Sequence, residues 1–283
     1  VSPEFDYCAY QGDDDFFIPK SLTKCSEFLS HNPDYRTAQG YAALVCVDRP
    51  EPVSGIDSIG QYWGKNSLDH DSKMDRLLYF DQNYYVTQFS VHRVHEYIAD
   101  IIDSNSIADT LIGELTHSYT FALNGKSKFI DSLYLVRVRH SGLQIYSGFN
   151  FFDWIGNKNW SSDYVSMIDS LSKHLCVDTD ISPYNAREIV SNIMKKKLIR
   201  NANSSLGNSI THKRNIFTKI KVLLPKSIKF KIKFLMYYFS SNRARINNIN
   251  MELELLRDKT SRFYNDFLPV EDSLTKNNLP KQV

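Results

Sequence analysis

The sequence has few cysteines and no arrangement that would put them to work: Cys8, Cys25, Cys46 and Cys176 lie far apart among 283 residues, with no C-x-x-C pair. That excludes a zinc ribbon and a dense disulfide scaffold, and it fits a reducing compartment. No stretch reaches the ~18 to 20 uncharged apolar residues that cross a bilayer, and no basic-then-apolar signal pattern opens the chain. The expected location is therefore cytoplasmic, and a peripheral place on the inner membrane face is left open. No internal repeat is present. Acidic residues are missing altogether between Ile189 and Met251.

What is present is a chain 42% hydrophobic and 13% aromatic, which can bury a sizeable core and is not disordered. Its formal charge of +2 hides a division: residues 1–188 carry 15 Lys/Arg against 26 Asp/Glu, and residues 189–283 carry 19 against 6. Two regions of opposite sign predict different partners.

Tyr7 to Tyr10 reads as a short strand running into an acidic loop, Asp13-Asp14-Asp15. Pro19 opens a helix whose apolar residues Leu22, Cys25, Phe28 and Leu29 recur at helical spacing up to Asn32-Pro33. Ala42–Val47, Tyr84–Val91 and Ser132–Val138 have strand composition. The segments 94–102, 107–123, 165–175, 183–198 and 251–267 have helical periodicity. Residues 48–70, with three glycines and two prolines, read as an irregular loop long enough to be a lid. The alternation predicts an α/β domain over 1–175, a basic helical extension over 176–268 and a frayed tail over 269–283.

Three adjacent carboxylates repel one another unless something positive neutralises them, and a hard dication such as Mg²⁺ or Mn²⁺ does so well. The alternative is a solvated acidic turn. His92-Arg93-Val94-His95-Glu96 spaces two histidines three apart, a weak zinc pattern with no further clustered ligands. Arg137 and Arg139 alternate onto one side of a strand and could clamp a diphosphate, or pair with the acids of their own domain. Trp63, Trp154 and Trp160 could stack on a sugar ring, or anchor the core.

The segment Gly12-Asp13-Asp14-Asp15-Phe16-Phe17-Ile18-Pro19, with Asn32-Pro33-Asp34-Tyr35 and Ala38-Gln39-Gly40 after it, resembles the D-x-D region of a bacterial and archaeal glycosyltransferase domain family related to the family 2 enzymes. The resemblance continues more weakly through Arg76-Leu77, Tyr84-Tyr85, Val91-His92-Arg93, Glu114-Leu115 and Tyr134-Leu135-Val136-Arg137, over roughly residues 1–175. It implies a GT-A-like mixed sheet, a nucleotide-sugar donor and Mn²⁺ or Mg²⁺ at Asp13 and Asp15, with His140 as a late histidine ligand. It also implies that Asp13 and Asp14 face the donor and that Arg93 is a substrate-side or structural residue, while Arg137 and Arg139 join the donor-binding candidates through their alternation alone. In the family a nucleotide-binding half precedes the acidic loop. Here the chain enters that loop almost at once, so either the protein extends upstream of Val1 or this version does not hold a donor.

Sugar transfer with inversion needs a base beside the acceptor hydroxyl. The resemblance implies an acid about a hundred residues after the acidic loop, at the start of a helix. Glu114 is the first candidate there and Asp109 the second. The bland alternative makes Asp109 a helix N-cap and leaves Glu114 on an exposed helix face. The acceptor is a glycan or a lipid-linked molecule of surface polysaccharide or glycolipid synthesis.

The basic region interleaves lysines with Ile, Leu, Phe and Tyr, as in Ile228-Lys229-Phe230-Lys231-Ile232-Lys233. Such a segment suits an anionic lipid surface. Nucleic acid is the competing polyanion, but no recognition motif accompanies it. A second overall reading is a catalytically inactive, membrane-associated binding module that retains part of a transferase fold.

Overall fold

A computed structural model describes residues 4–47, 55–102, 106–140, 151–211 and 252–275, the side chains of 204–211 excepted. A mixed, curled sheet is built around two long parallel strands, Tyr35–Val47 (β3) and Lys126–Arg139 (β6). The other edge of β3 is shared: Thr37 and Ala38 pair with Val91–Arg93 (β5), and Ala42 to Val47 pair with Ile56–Trp63 (β4). Tyr7–Cys8 (β1) extends the sheet beyond β5, and Phe16–Phe17 (β2) runs antiparallel to β6 at the opposite edge.

Gly40 allows β3 and β6 to stay together through a bulge. The register jumps from Gln39↔Phe129 to Tyr41↔Leu133, and a Cβ on Gly40 would lie 2.3 Å from the Ser132 carbonyl. The Trp63 indole N–H donates to the Gly40 carbonyl at 2.8 Å, which ties β4 to the same point.

Two cores flank the sheet. On one face Ala38, Ala42, Tyr134 and Leu135 meet the helices Pro19–His31 (α1), Lys73–Gln82 (α2), Thr110–Asn124 (α4), Trp160–Cys176 (α6) and Pro183–Thr211 (α7). Val94–Ile102 (α3) follows β5, and Phe151–Ile155 (α5) precedes α6. On the other face Tyr41, Ala43, Val45, Leu133 and Val138 meet Leu253, Leu256 and Phe263, and also Phe267 and Val270 from Tyr264–Thr275 (α8).

The expected boundary at residue 175 therefore does not divide the core. Ala186, Val190, Ile193 and Met194 of α7 belong to the first cluster, and residues 253–270 close the second. Val270 is buried in α8, which runs through Pro269, so the expected frayed tail is ordered as far as Thr275. Two other expectations change. Residues 56–63 form a strand where a loop was expected, because β3 offers them an open edge. Of Tyr84–Val91 only Val91 enters a strand: Tyr84 and Tyr85 pack on Phe80, and a 3₁₀ turn at Thr87–Phe89 leads into β5. Most of the basic run, residues 212–251, lies outside the described residues, as does 48–54 of the expected lid. No helix among the described residues is long and apolar enough to cross a membrane.

Candidate functional site

The acidic loop is a tight turn at the end of the sheet. The Asp15 amide donates to the Gly12 carbonyl at 3.3 Å, and the Gln11 side chain donates to the Asp15 carbonyl at 2.6 Å. A side chain at residue 12 would come within 2.9 Å of the Asp15 carboxylate, so the glycine makes room for it.

The three aspartates have different environments. Asp13 is exposed, Asp14 is half-buried, and Asp15 is buried at 2% exposure. The Arg137 Nε donates to Asp15 Oδ2 at 3.0 Å, and the Val138 amide donates to Oδ1 at 3.2 Å. Burial pushes the Asp15 carboxyl above the usual range, against the pull of Arg137. The expectation of Asp15 as a metal ligand meets a carboxylate already engaged by a guanidinium and a backbone amide.

Arg137 reaches further. Its Nη1 donates to the Tyr62 hydroxyl at 2.8 Å, and its guanidinium lies 4.9 Å from the Tyr62 ring and 4.7 Å from the Phe89 ring. Arg139 is exposed two residues on, as strand alternation predicts. His140 Nε2 lies 3.6 Å from Asp14 Oδ2.

Among the described residues, no three His, Cys, Asp or Glu side chains converge as a metal cage. The donor set that fits a hard or borderline dication is the pair Asp14 and His140, with Asp13 exposed beside them. Two such ligands could hold Mg²⁺ only together with oxygens from a bound phosphate, since that ion commonly takes one or two carboxylates beside its substrate's phosphates.

Glu114 arrives from α4. It is half-buried and accepts a hydrogen bond from the Tyr84 hydroxyl at 3.3 Å. Burial raises its carboxyl above the ordinary glutamate value, opposed by the Tyr84 hydrogen bond and by the charge of Arg137. The same Arg137 charge thus acts on Asp15 and on Glu114, which are 99 positions apart in sequence.

Asp109 and Arg93 both make the structural contacts of their alternative readings. Asp109 caps α4: its Oδ1 accepts the Leu111 and Ile112 amides, and its Oδ2 accepts the Trp154 indole N–H at 2.9 Å. Arg93 donates to the carbonyls of Leu29, Asn32 and Tyr35, fastening the C-terminus of α1 to β5. The weak zinc pattern dissolves, because His92 is buried in β5 with its ring against the Thr87 carbonyl, whereas His95 is exposed. The tryptophans are anchors: Trp63 is buried, and Trp154 and Trp160 pack edge to face at 5.7 Å.

The sequence did not single out Tyr62 or Phe89, and it marked Lys197 only as one lysine of the basic run. The last had a legible signal, since Val190, Met194 and Lys197 recur at helical spacing and the first two are buried. The Lys197 ammonium sits 3.8 Å from the centroid of the Tyr84 ring. No protein-family model, curated protein or solved structure matches the chain.

Proposed function

We propose that this chain carries the acceptor side and the acidic loop of a metal-dependent glycosyltransferase with a GT-A-like fold. The observation that carries the reading is that Arg137, which pairs with Asp15 of the acidic turn, also acts through its charge on Glu114, the candidate base on α4. The resemblance of residues 12–40 to the D-x-D region adds to it.

In this reading the Glu114 carboxylate accepts the proton of an acceptor hydroxyl as that oxygen bonds to the anomeric carbon. The bond from that carbon to the donor's phosphate oxygen breaks, and a nucleoside diphosphate leaves with the electron pair. A raised glutamate pKa suits this task, since a stronger base takes the proton more readily. Asp14 and His140 would hold Mn²⁺ or Mg²⁺, which would supply positive charge to the leaving diphosphate. Arg139, exposed beside them, faces the same anion. Asp15 and Arg137 hold the turn in shape.

The acceptor is a glycan or lipid-linked molecule of surface polysaccharide or glycolipid assembly, and the basic C-terminal region holds the enzyme at an anionic membrane face. The test is a screen of nucleotide-sugars with Mn²⁺ for donor hydrolysis or transfer. Activity with at least one donor, lost on chelation and in Glu114→Gln, supports the reading. Activity unchanged in Glu114→Gln rejects the base.

A further inference from the structure

The Glu114 carboxylate accepts a long hydrogen bond from the Tyr84 hydroxyl, 3.3 Å to Oε1. The ring of Tyr84 has its own partner in Lys197 of α7, whose Nζ lies 3.8 Å from the ring centroid and 5.4 Å from that of Tyr119. This lysine is held in place by its neighbourhood. One turn on, Arg200 grips Asp81 through two hydrogen bonds of 2.7 and 2.8 Å, and the Tyr119 hydroxyl donates to the same Asp81 at 2.8 Å. Tyr84 and Tyr119 themselves stack, with centroids 6.0 Å apart. The ammonium is thus packed against two rings with its charge aimed into the Tyr84 face.

We propose that Lys197 is a positioning residue for Glu114: its ammonium, lying over the Tyr84 ring, draws electron density from the phenol and makes the hydroxyl a stronger donor to the carboxylate. A cation over a phenol ring stabilises electron density leaving the oxygen, so the effect passes through the ring to the O–H. The hydrogen bond that results fixes one carboxylate orientation and restrains its basicity, against the burial that raises it. The groups around this chain of contacts are Asp81 and Arg200 beside Lys197, Ser118 and Tyr62 around the Tyr84 hydroxyl, and Arg137, whose charge acts on Glu114. Burial brings the Lys197 ammonium down to about 8, so the support is present at neutral pH and fades above it.

The significance of the inference rests on the proposed role of Glu114, but its test does not. The Glu114 carboxyl is titrated by carbon NMR in the complete protein, assigned by difference with Glu114→Gln, with no sugar or nucleotide added. Lys197→Met moves the midpoint up by about 0.2 to 0.5 pH unit, a fraction of one cation–ring contact, because the contact is present in both states of the carboxyl and only its effect on the hydrogen bond differs. Lys197→Arg, which still stacks, stays close to the native value. In a Tyr84→Phe background the Lys197→Met change has little further effect, because the route through the hydroxyl is gone. An equal upward movement with and without the Tyr84 hydroxyl would mean that the lysine charge acts directly, and no movement at all would mean that it does not act. Either overturns the proposal. Lys197→Gln serves the same comparisons should the methionine variant fail to fold. The predicted midpoints in a protein that transfers no sugar would uphold the positioning role and remove the glycosyltransferase reading.

Discussion

Arg137 and Asp15 stand 122 positions apart and form an ion pair of 3.0 Å in which the carboxylate is wholly buried. The pair joins the acidic turn to the end of β6, next to β2. Removing one partner of such a pair leaves a buried charge without compensation, which costs about 3 kcal/mol or more. Arg137→Met is therefore expected to lower stability by about that amount in urea unfolding. Adding Asp15→Asn to it should recover part of the loss, and two losses that simply add would show that the residues do not depend on each other.

Gly40 has a purely steric test. A methyl group there would lie 2.3 Å from the Ser132 carbonyl and 2.9 Å from the Tyr134 Cβ. Gly40→Ala should destabilise the protein by about 2 kcal/mol, in the range of overpacked cores. Gly60→Ala in β4 meets nothing within 4 Å and serves as the control.

Asp109 is expected to matter for folding rather than for chemistry. Its carboxylate caps α4 through the Leu111 and Ile112 amides. Asp109→Ala should lose about 1 kcal/mol of stability, whereas Asp109→Asn should retain most of it. In a donor assay both variants should keep the pH dependence of the native protein, and a changed acid limb would return Asp109 to the chemistry.

Glu114 sets that acid limb. Burial raises its pKa above the ordinary glutamate value, and the base form is the deprotonated one. The rate should therefore rise as pH passes upward through a midpoint higher than that of a free glutamate. Glu114→Gln should remove this limb and lower kcat by about 10² to 10⁴ with a smaller effect on KM. A limb that persists in the glutamine variant would belong to another group.

The fold was legible where pattern and chemistry agreed. Pro19 at the head of α1, Asp109 at the head of α4 and the apolar run of β6 each declare their element. The strand β4 was not legible: Ile56 to Trp63 alternates poorly, and only the open edge of β3 makes it a strand. The tail misled because its lysines dominate the composition. A few apolar residues, Val190 and Met194 on α7 and Leu253 to Val270 beyond, decide that it joins the two cores. The acidic loop after the first strand could be read from the sequence. The inward pairing of Asp15 could not, since nothing local distinguishes it from Asp13 and Asp14 until β6 brings Arg137 beside it.

The most direct measurement is calorimetric titration of the complete protein with uridine, guanosine, cytidine and thymidine diphosphates, each with and without Mn²⁺, for the native protein and for Asp14→Asn and His140→Ala. Manganese should tighten binding of at least one of them by about tenfold or more, a gain lost in both variants. Affinities that are the same with and without the metal for all four would contradict the account.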